Sequence, residues 1–216
     1  MSGIDSASEL RRTGTLDLLL GAAENANVIW DFDGVVANSE PLQAESYRIL
    51  LERMGNSPRD DFFIDCVGNP EPRIWQMLNQ AGYRIEGAVD ALISDRRDVY
   101  LRLAAEQLQP SWVAQLLPSL FAPLANAQYV ISAGDPFAIE RLLRRWGLDQ
   151  HLDYRAPVGT KREQLVRVWD SGPSMTIEDN LGYLELAAAA GSFPVRIVHE
   201  MSDLNAESEA EVTLTI

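Results

Sequence analysis

The chain has 216 residues, 46% of them apolar, a formal charge of −14 and a single cysteine, Cys66. That length admits one sizeable core, with or without a smaller inserted module. The charge disfavours nucleic acid and anionic membrane as partners, and one cysteine excludes an internal disulfide, so a reducing cytoplasm is the expected setting.

Residues 1–26 are expected to form an N-terminal, largely helical extension. Arg11 and Arg12 precede Leu18, Leu19 and Leu20, but Asp17 interrupts the run and the apolar stretch is too short for an export signal. Asn27 to Phe32 is a short apolar run closing on acidic residues and Gly34, which reads as a buried strand and its exit loop. From Glu40 to about Gln109 the periodicity becomes helical. Ala44, Tyr47, Leu50 and Leu51 mark one helix, Ile74, Trp75, Met77 and Leu78 a second, and Ala88 to Ala105 a third. Glycines and prolines such as Gly55, Pro58, Pro70, Pro72 and Gly82 punctuate them. Strand character returns at Gln128–Ser132, followed by a helix from Pro136 to Trp146. A strand at Leu152–Ala156, a helix from Thr160 to Trp169, a strand at Met175–Glu178, a helix from Leu181 to Ala190 and a strand at Pro194–Val198 complete the alternation. Glu211 to Ile216 could add an edge strand. No stretch of about 18 uncharged apolar residues occurs, so no membrane span is expected.

Alternating strands and helices predict an α/β fold with a mainly parallel, doubly wound sheet. The core is expected from residues 27–39 and 112–216, with residues 40–111 forming an α-helical cap inserted after the first strand. In such sheets ligands bind beyond the carboxyl ends of the strands. The polar residues of interest fall there: Asp31 and Asp33, Ser132, and Glu178 with Asp179. Asp31 and Asp33, spaced by two on extended backbone, point the same way, so one carboxylate can attack while the other handles protons. Three or four converging carboxylates would repel without a cation, and Mg2+ suits such a cluster beside a phosphate. Ser132 and neighbouring backbone N–H groups could hold phosphate oxygens. Seventeen of the eighteen basic residues are arginine, and the exception is Lys161. In so acidic a chain an anion site must be made positive locally, and Lys161 could neutralise charge on a transferring phosphoryl group. Taken singly, each of these residues also has a bland reading. Asp31 and Asp33 could be solvated loop acids, Ser132, Asp179 and Asn180 helix caps, and Lys161 a surface charge.

Together these segments resemble the haloacid dehalogenase-like superfamily, in motif order and along nearly the whole domain. Val28 to Val36 resembles its first motif and Asn38 to Leu42 the stretch after it. Val130 to Gly134 is similar to the second motif, Lys161 to the third, and Ile177 to Gly182 with Ala187 to Gly191 to the fourth. The helical insert sits where the subfamily containing phosphoglycolate phosphatase and β-phosphoglucomutase carries its cap. The resemblance implies a phosphoric monoester hydrolase with Asp31 as nucleophile and Asp33 as acid/base. It implies Ser132, Ala133 and Lys161 as phosphate ligands, and Mg2+ held by Asp31, the Asp33 carbonyl, Glu178 and Asp179. The expected partner is a small phosphorylated metabolite, and the expected state a monomer or homodimer. Glu40, Gln43, Gly68, Asn69 and Arg73 are candidate substrate contacts from the cap.

The sequence also departs from the family pattern. Gln43 stands where many relatives have histidine, Arg162 follows Lys161 where proline is frequent, and Asn180 replaces a common serine. The usual Pro-Gly signal at re-entry into the core is missing around Leu117-Pro118. The alternatives are a phosphomutase of the β-phosphoglucomutase type, disfavoured by a cap without lysine and by Gln43, and a catalytically silent phosphate-binding module. A phosphonate-cleaving enzyme would need a cap lysine, and the metal-independent dehalogenases usually lack the second aspartate.

Overall fold

The computed structural model describes residue 10 and residues 14–66, 69–154, 158–198 and 212–215. These residues divide into two compact units: one comprises the chain up to Asn38 together with everything from Gln109 onward, the other Ser39–Leu108.

The first unit is built on six parallel strands: β1 (Asn27–Trp30), β2 (Ala127–Val130), β3 (Asp153–Tyr154), β4 (Ser174–Glu178), β5 (Phe193–Val198) and β6 (Val212–Thr215). Their order is β3-β2-β1-β4-β5-β6. This is the doubly wound arrangement, in which the direction of winding reverses between β1 and β4. The register sets Trp30 opposite Val130 on one side and Ile177 on the other. Residues just past β1 therefore lie level with Ile131 and Glu178 before any side chain is considered.

β1 is a near-continuous apolar run because both faces are covered, as parallel strands require, and β4 is buried at every residue although Met175 and Ile177 alternate with polar side chains. Val28, Ile29, Trp30, Met175 and Ile177 are at most 1% exposed. The polar atoms on these strands are paired. Trp30 Nε1 donates to Gln128 Oε1 at 3.3 Å, and Gln128 Nε2 donates to the Pro118 carbonyl at 2.7 Å. Thr176 Oγ1 accepts from Trp169 Nε1 at 3.1 Å and lies 2.8 Å from Ser192 Oγ.

Helices α1 (Thr15–Ala23), α5 (Trp112–Phe121), α6 (Pro136–Trp146), α7 (Lys161–Trp169) and α8 (Leu181–Ala189) belong to this unit. Helix α5 differs from the sequence expectation, which placed no element there. Pro118 lies inside it and removes one helical N–H, a signal that reads as a break. Burial of Val113, Ala114, Leu117 and Phe121 outweighs that loss. The strand expected at Leu152–Ala156 is a two-residue strand at Asp153–Tyr154, and residues 155 and 156 lie outside the described residues.

The second unit contains α2 (Glu40–Arg53), a single 3₁₀ turn at Ile64–Cys66, α3 (Glu71–Gln80) and α4 (Val89–Gln107). Tyr47, Leu50, Leu51, Phe62, Cys66, Ile74, Trp75, Leu78, Leu92 and Val99 make its apolar core. Arg96 is buried among them at 4% exposure. Its guanidinium forms a two-pronged ion pair with Glu71, donates from Nη1 to Gln43 Oε1 at 2.6 Å, and lies over the rings of Tyr47 and Tyr100.

Candidate active site

Strand β1 ends at Trp30, but the ladder runs one residue further, because Asp31 N–H donates to the Ile177 carbonyl at 3.0 Å. The chain then folds into a tight loop in which the Val36 and Ala37 N–H groups converge on the Phe32 carbonyl. Gly34 is required there twice over. Its φ of +82° is a conformation that residues with a Cβ rarely adopt, and a Cβ would strike the Asp179 carboxylate. Ser111, a residue the sequence reading passed over, holds this loop from the far side. Its N–H donates to the Val36 carbonyl and its hydroxyl to the Val35 carbonyl, each at 2.8 Å, while its Oγ caps α5 through Ala114 N–H.

The register brings Asp31 beside Glu178, the last residue of β4. Asp31, Glu178 and Asp179 each offer a carboxylate oxygen within 4.8 Å of the others. Lys161 is the first residue of α7, set by a capping box in which Thr160 Oγ1 accepts from Glu163 N–H and the Glu163 carboxylate accepts from Thr160 N–H. Its ammonium lies 2.8 Å from Asp31 Oδ2 and 2.7 Å from Glu178 Oε2, and 4.5 Å from the centre of the Tyr183 ring. The lysine is 8% exposed, so it is no solvated surface charge. Burial alone would lower its pKa; the Asp31 and Glu178 carboxylates outweigh that and hold it above the usual lysine range. Burial, and next the Asp31 charge, push the Glu178 carboxyl well above the usual carboxylate range, with Lys161 pulling the other way. One ammonium does not neutralise three crowded carboxyl groups.

On the other side of β1, Ser132 Oγ is 3.4 Å from Asp33 Oδ2 and accepts from Gly134 N–H at 3.1 Å. A Cβ on Gly134 would stand 2.5 Å from Asp33 Oδ2, so the small residue leaves room for that carboxylate. Ser132 is not the helix cap; Asp135 fills that role for α6, accepting from Phe137 and Ala138 N–H. Asn180, and not Asp179, caps α8. Asp31, Ser132, Lys161 and Glu178 are buried, Asp33 and Asp179 are half-buried, and Ala133 is exposed beside Ser132. A carboxylate-only donor set within 4.8 Å suits a hard divalent cation such as Mg2+, whose octahedral oxygen shell is about 4 Å across.

The remaining sequence candidates belong to the helical unit. Glu40 is exposed in the first turn of α2. Gln43 has its amide oxygen taken by Arg96. Asn69 Nδ2 lies 3.3 Å from the Asp65 and Cys66 carbonyls, and Arg73 Nη1 is 3.4 Å from Gln76 Oε1. Gly68 lies outside the described residues. Sequence reasoning missed Ser111 and Tyr183. A serine three residues ahead of Ala114 was a legible cap signal, whereas Tyr183 reads as an ordinary helix residue until Lys161 is placed.

No family model matches the sequence, and no curated protein sequence matches it either. Among solved structures the chain is similar to a Thermotoga maritima protein described as a candidate β-phosphoglucomutase, with 20% identity over 88% of this chain and 94% of that one, TM-score 0.68. It is similar to an Entamoeba histolytica HAD hydrolase of family IA, variant 3, at 15% identity over 88% and 92%, TM-score 0.68. A third similar structure is Rhodobacter sphaeroides CbbY in complex with phosphate, at 15% identity over 88% and 93%, TM-score 0.68. The chain has the haloacid dehalogenase-like fold.

Proposed function

We propose that the protein is a magnesium-dependent phosphatase that hydrolyses a small phosphate monoester through an aspartyl-phosphate on Asp31. The observation that carries this reading is the meeting of Asp31, Glu178 and Asp179 with a buried lysine at the carboxyl ends of β1 and β4. The likeness to a HAD hydrolase structure supports it, as does the phosphate bound in another of the similar structures.

Asp31, Glu178 and Asp179, with the Asp33 carbonyl, would hold Mg2+, which supplies positive charge against the phosphoryl oxygens. Lys161 donates to one of those oxygens, and Ser132 with the N–H of Ala133 binds others. An Asp31 carboxylate oxygen forms a bond to phosphorus as the ester P–O bond breaks, and Asp33 passes its proton to the departing alkoxide. Asp33 then takes a proton from water as that water attacks phosphorus, which frees the Asp31 carboxylate and inorganic phosphate. Glu40, Gln43, Gly68, Asn69 and Arg73 are proposed to select the leaving group. Gln43 has no titrating group and its amide oxygen is already engaged, which favours transfer to water over a mutase cycle.

The test is a panel of sugar, nucleotide and short-acid phosphates, assayed with and without magnesium, beside calorimetric titration with vanadate. Turnover and vanadate binding are both expected only with magnesium; equal vanadate affinity without it would make the acidic cluster structural. Asp33→Asn separates proton transfer from attack. Single-turnover phosphorylation is expected to slow by about 10²–10⁴-fold for poor leaving groups and much less for good ones. Equal slowing of both would remove Asp33 from the acid role.

A further inference from the structure

Resting on that phosphatase reading, we infer that Tyr183 is a positioning residue for phosphate capture, its ring face holding the Lys161 ammonium in place while metal and phosphate claim the carboxylates around it. Lys161 has three N–H donors, and two of its neighbours are carboxylates at 2.8 and 2.7 Å. Both, Asp31 and Glu178, belong to the set expected to bind Mg2+, so their hold on the lysine weakens when the site loads. The third negative surface around the ammonium is the π face of Tyr183, 4.5 Å from Nζ to the ring centre. The π face offers magnesium no lone pair, so its attraction for the ammonium persists through the cycle.

The ring itself is well anchored. Tyr183 lies in the first turn of α8, its N–H bonded to the capping Asn180 side chain. Its ring packs on the apolar cluster of Ile29, Ile131, Leu165, Trp169 and Ala187. Leu165 follows Lys161 by one helical turn on α7, and Ala187 follows Tyr183 by one turn on α8. One apolar cluster thus sets both the cation and the face it rests on.

The chain's only lysine makes the contact readable by chemistry: apart from the α-amino group, Lys161 is the single amine that an acylating reagent can modify. The experiment measures the acetylation rate of Lys161 by mass spectrometry in wild type, Tyr183→Phe and Tyr183→Leu, each with and without magnesium. Orthophosphate affinity in magnesium is measured alongside by calorimetry. In wild type and Tyr183→Phe, magnesium is expected to leave Lys161 protected. In Tyr183→Leu, magnesium should accelerate acetylation and weaken orthophosphate binding by about three- to thirty-fold, the range of a partly to fully desolvated cation–π contact. The Phe variant should stay within about twofold of wild type, because it keeps the ring face and loses only the hydroxyl.

A purely structural tyrosine would raise acetylation equally with and without metal, and that result overturns the proposal. So does a Phe variant as labile as Leu, or a Leu variant matching wild type. If Tyr183→Leu fails to fold, Tyr183→Met removes the ring with an unbranched helix former and takes its place. Absence of any magnesium binding to wild type would instead sink the phosphatase reading. That outcome is told apart from failure of the ring contact by wild type alone, because it needs no variant to be seen, and it overturns the proposal together with the reading it rests on.

Discussion

Asp31→Asn is expected to lower turnover by on the order of 10⁴–10⁶-fold while leaving the fold intact. The amide cannot form the acyl-phosphate, so no part of the two-step route survives. The fold should persist because the substituted amide oxygen can still accept from Lys161, and Lys161 keeps its ion pair with Glu178. The backbone bond from residue 31 to the Ile177 carbonyl is untouched. Steady-state assay with a good leaving group, beside a thermal melt of both proteins, checks the two halves. Magnesium-dependent turnover near the wild-type rate in a well-folded variant would remove Asp31 from the nucleophile's role.

Arg96→Met is expected to destabilise the helical unit by about 3–5 kcal/mol, the usual result of removing one partner from a buried ion pair. The loss comes less from the attraction forfeited than from what is left behind. Glu71 keeps a charge whose bidentate partner is gone, in a side chain only 19% exposed, and the Gln43 amide oxygen loses its 2.6 Å donor. Reversing the logic gives a control. Arg96→Met combined with Glu71→Leu replaces both charges by apolar groups and should recover most of the stability. Hydrogen exchange over residues 39–108 during mild denaturation locates the effect. A loss below about 1 kcal/mol for the single variant would show that the pair is solvated in solution, as surface pairs are.

The parts of the site that the sequence made legible are those whose geometry follows from one local rule. An apolar run ending in Asp31 and Asp33 announces a buried strand with carboxylates at its exit, and parallel alternation fixes the end of the sheet at which they emerge. Glu178 and Asp179 follow by the same rule on a neighbouring strand, and the register supplies their meeting. Lys161 had no local rule to mark it: composition singled it out as the one lysine among arginines, and its place in the motif order did the rest. Helix α5 was hidden by Pro118, because a local breaker signal was overruled by tertiary burial that no window of sequence contains. Arg96 was hidden differently. One arginine among seventeen carries no mark of its surroundings, and its partners Gln43 and Glu71 lie 53 and 25 residues away. The Tyr183 ring falls in the same class, since its meaning depends on a lysine 22 positions earlier.

The bond between Ser111 N–H and the Val36 carbonyl joins the two places where the chain leaves the sheet-containing unit and returns to it. During synthesis this imposes a wait. β1 is made early, yet its neighbour β2 pairs Ala127 with Asn27 across about a hundred intervening residues. At the usual elongation rate of about 5–20 residues per second, β1 spends on the order of 5–20 s without that partner. Its four residues are nearly all apolar, so for that interval it is a sticky segment. The helices of residues 39–108 close over much shorter sequence distances and form sooner. Once they fold, the slack between the strands is taken up by a compact body, and β1 and β2 have far less chain to search through. The insert therefore acts on the assembly of the sheet itself.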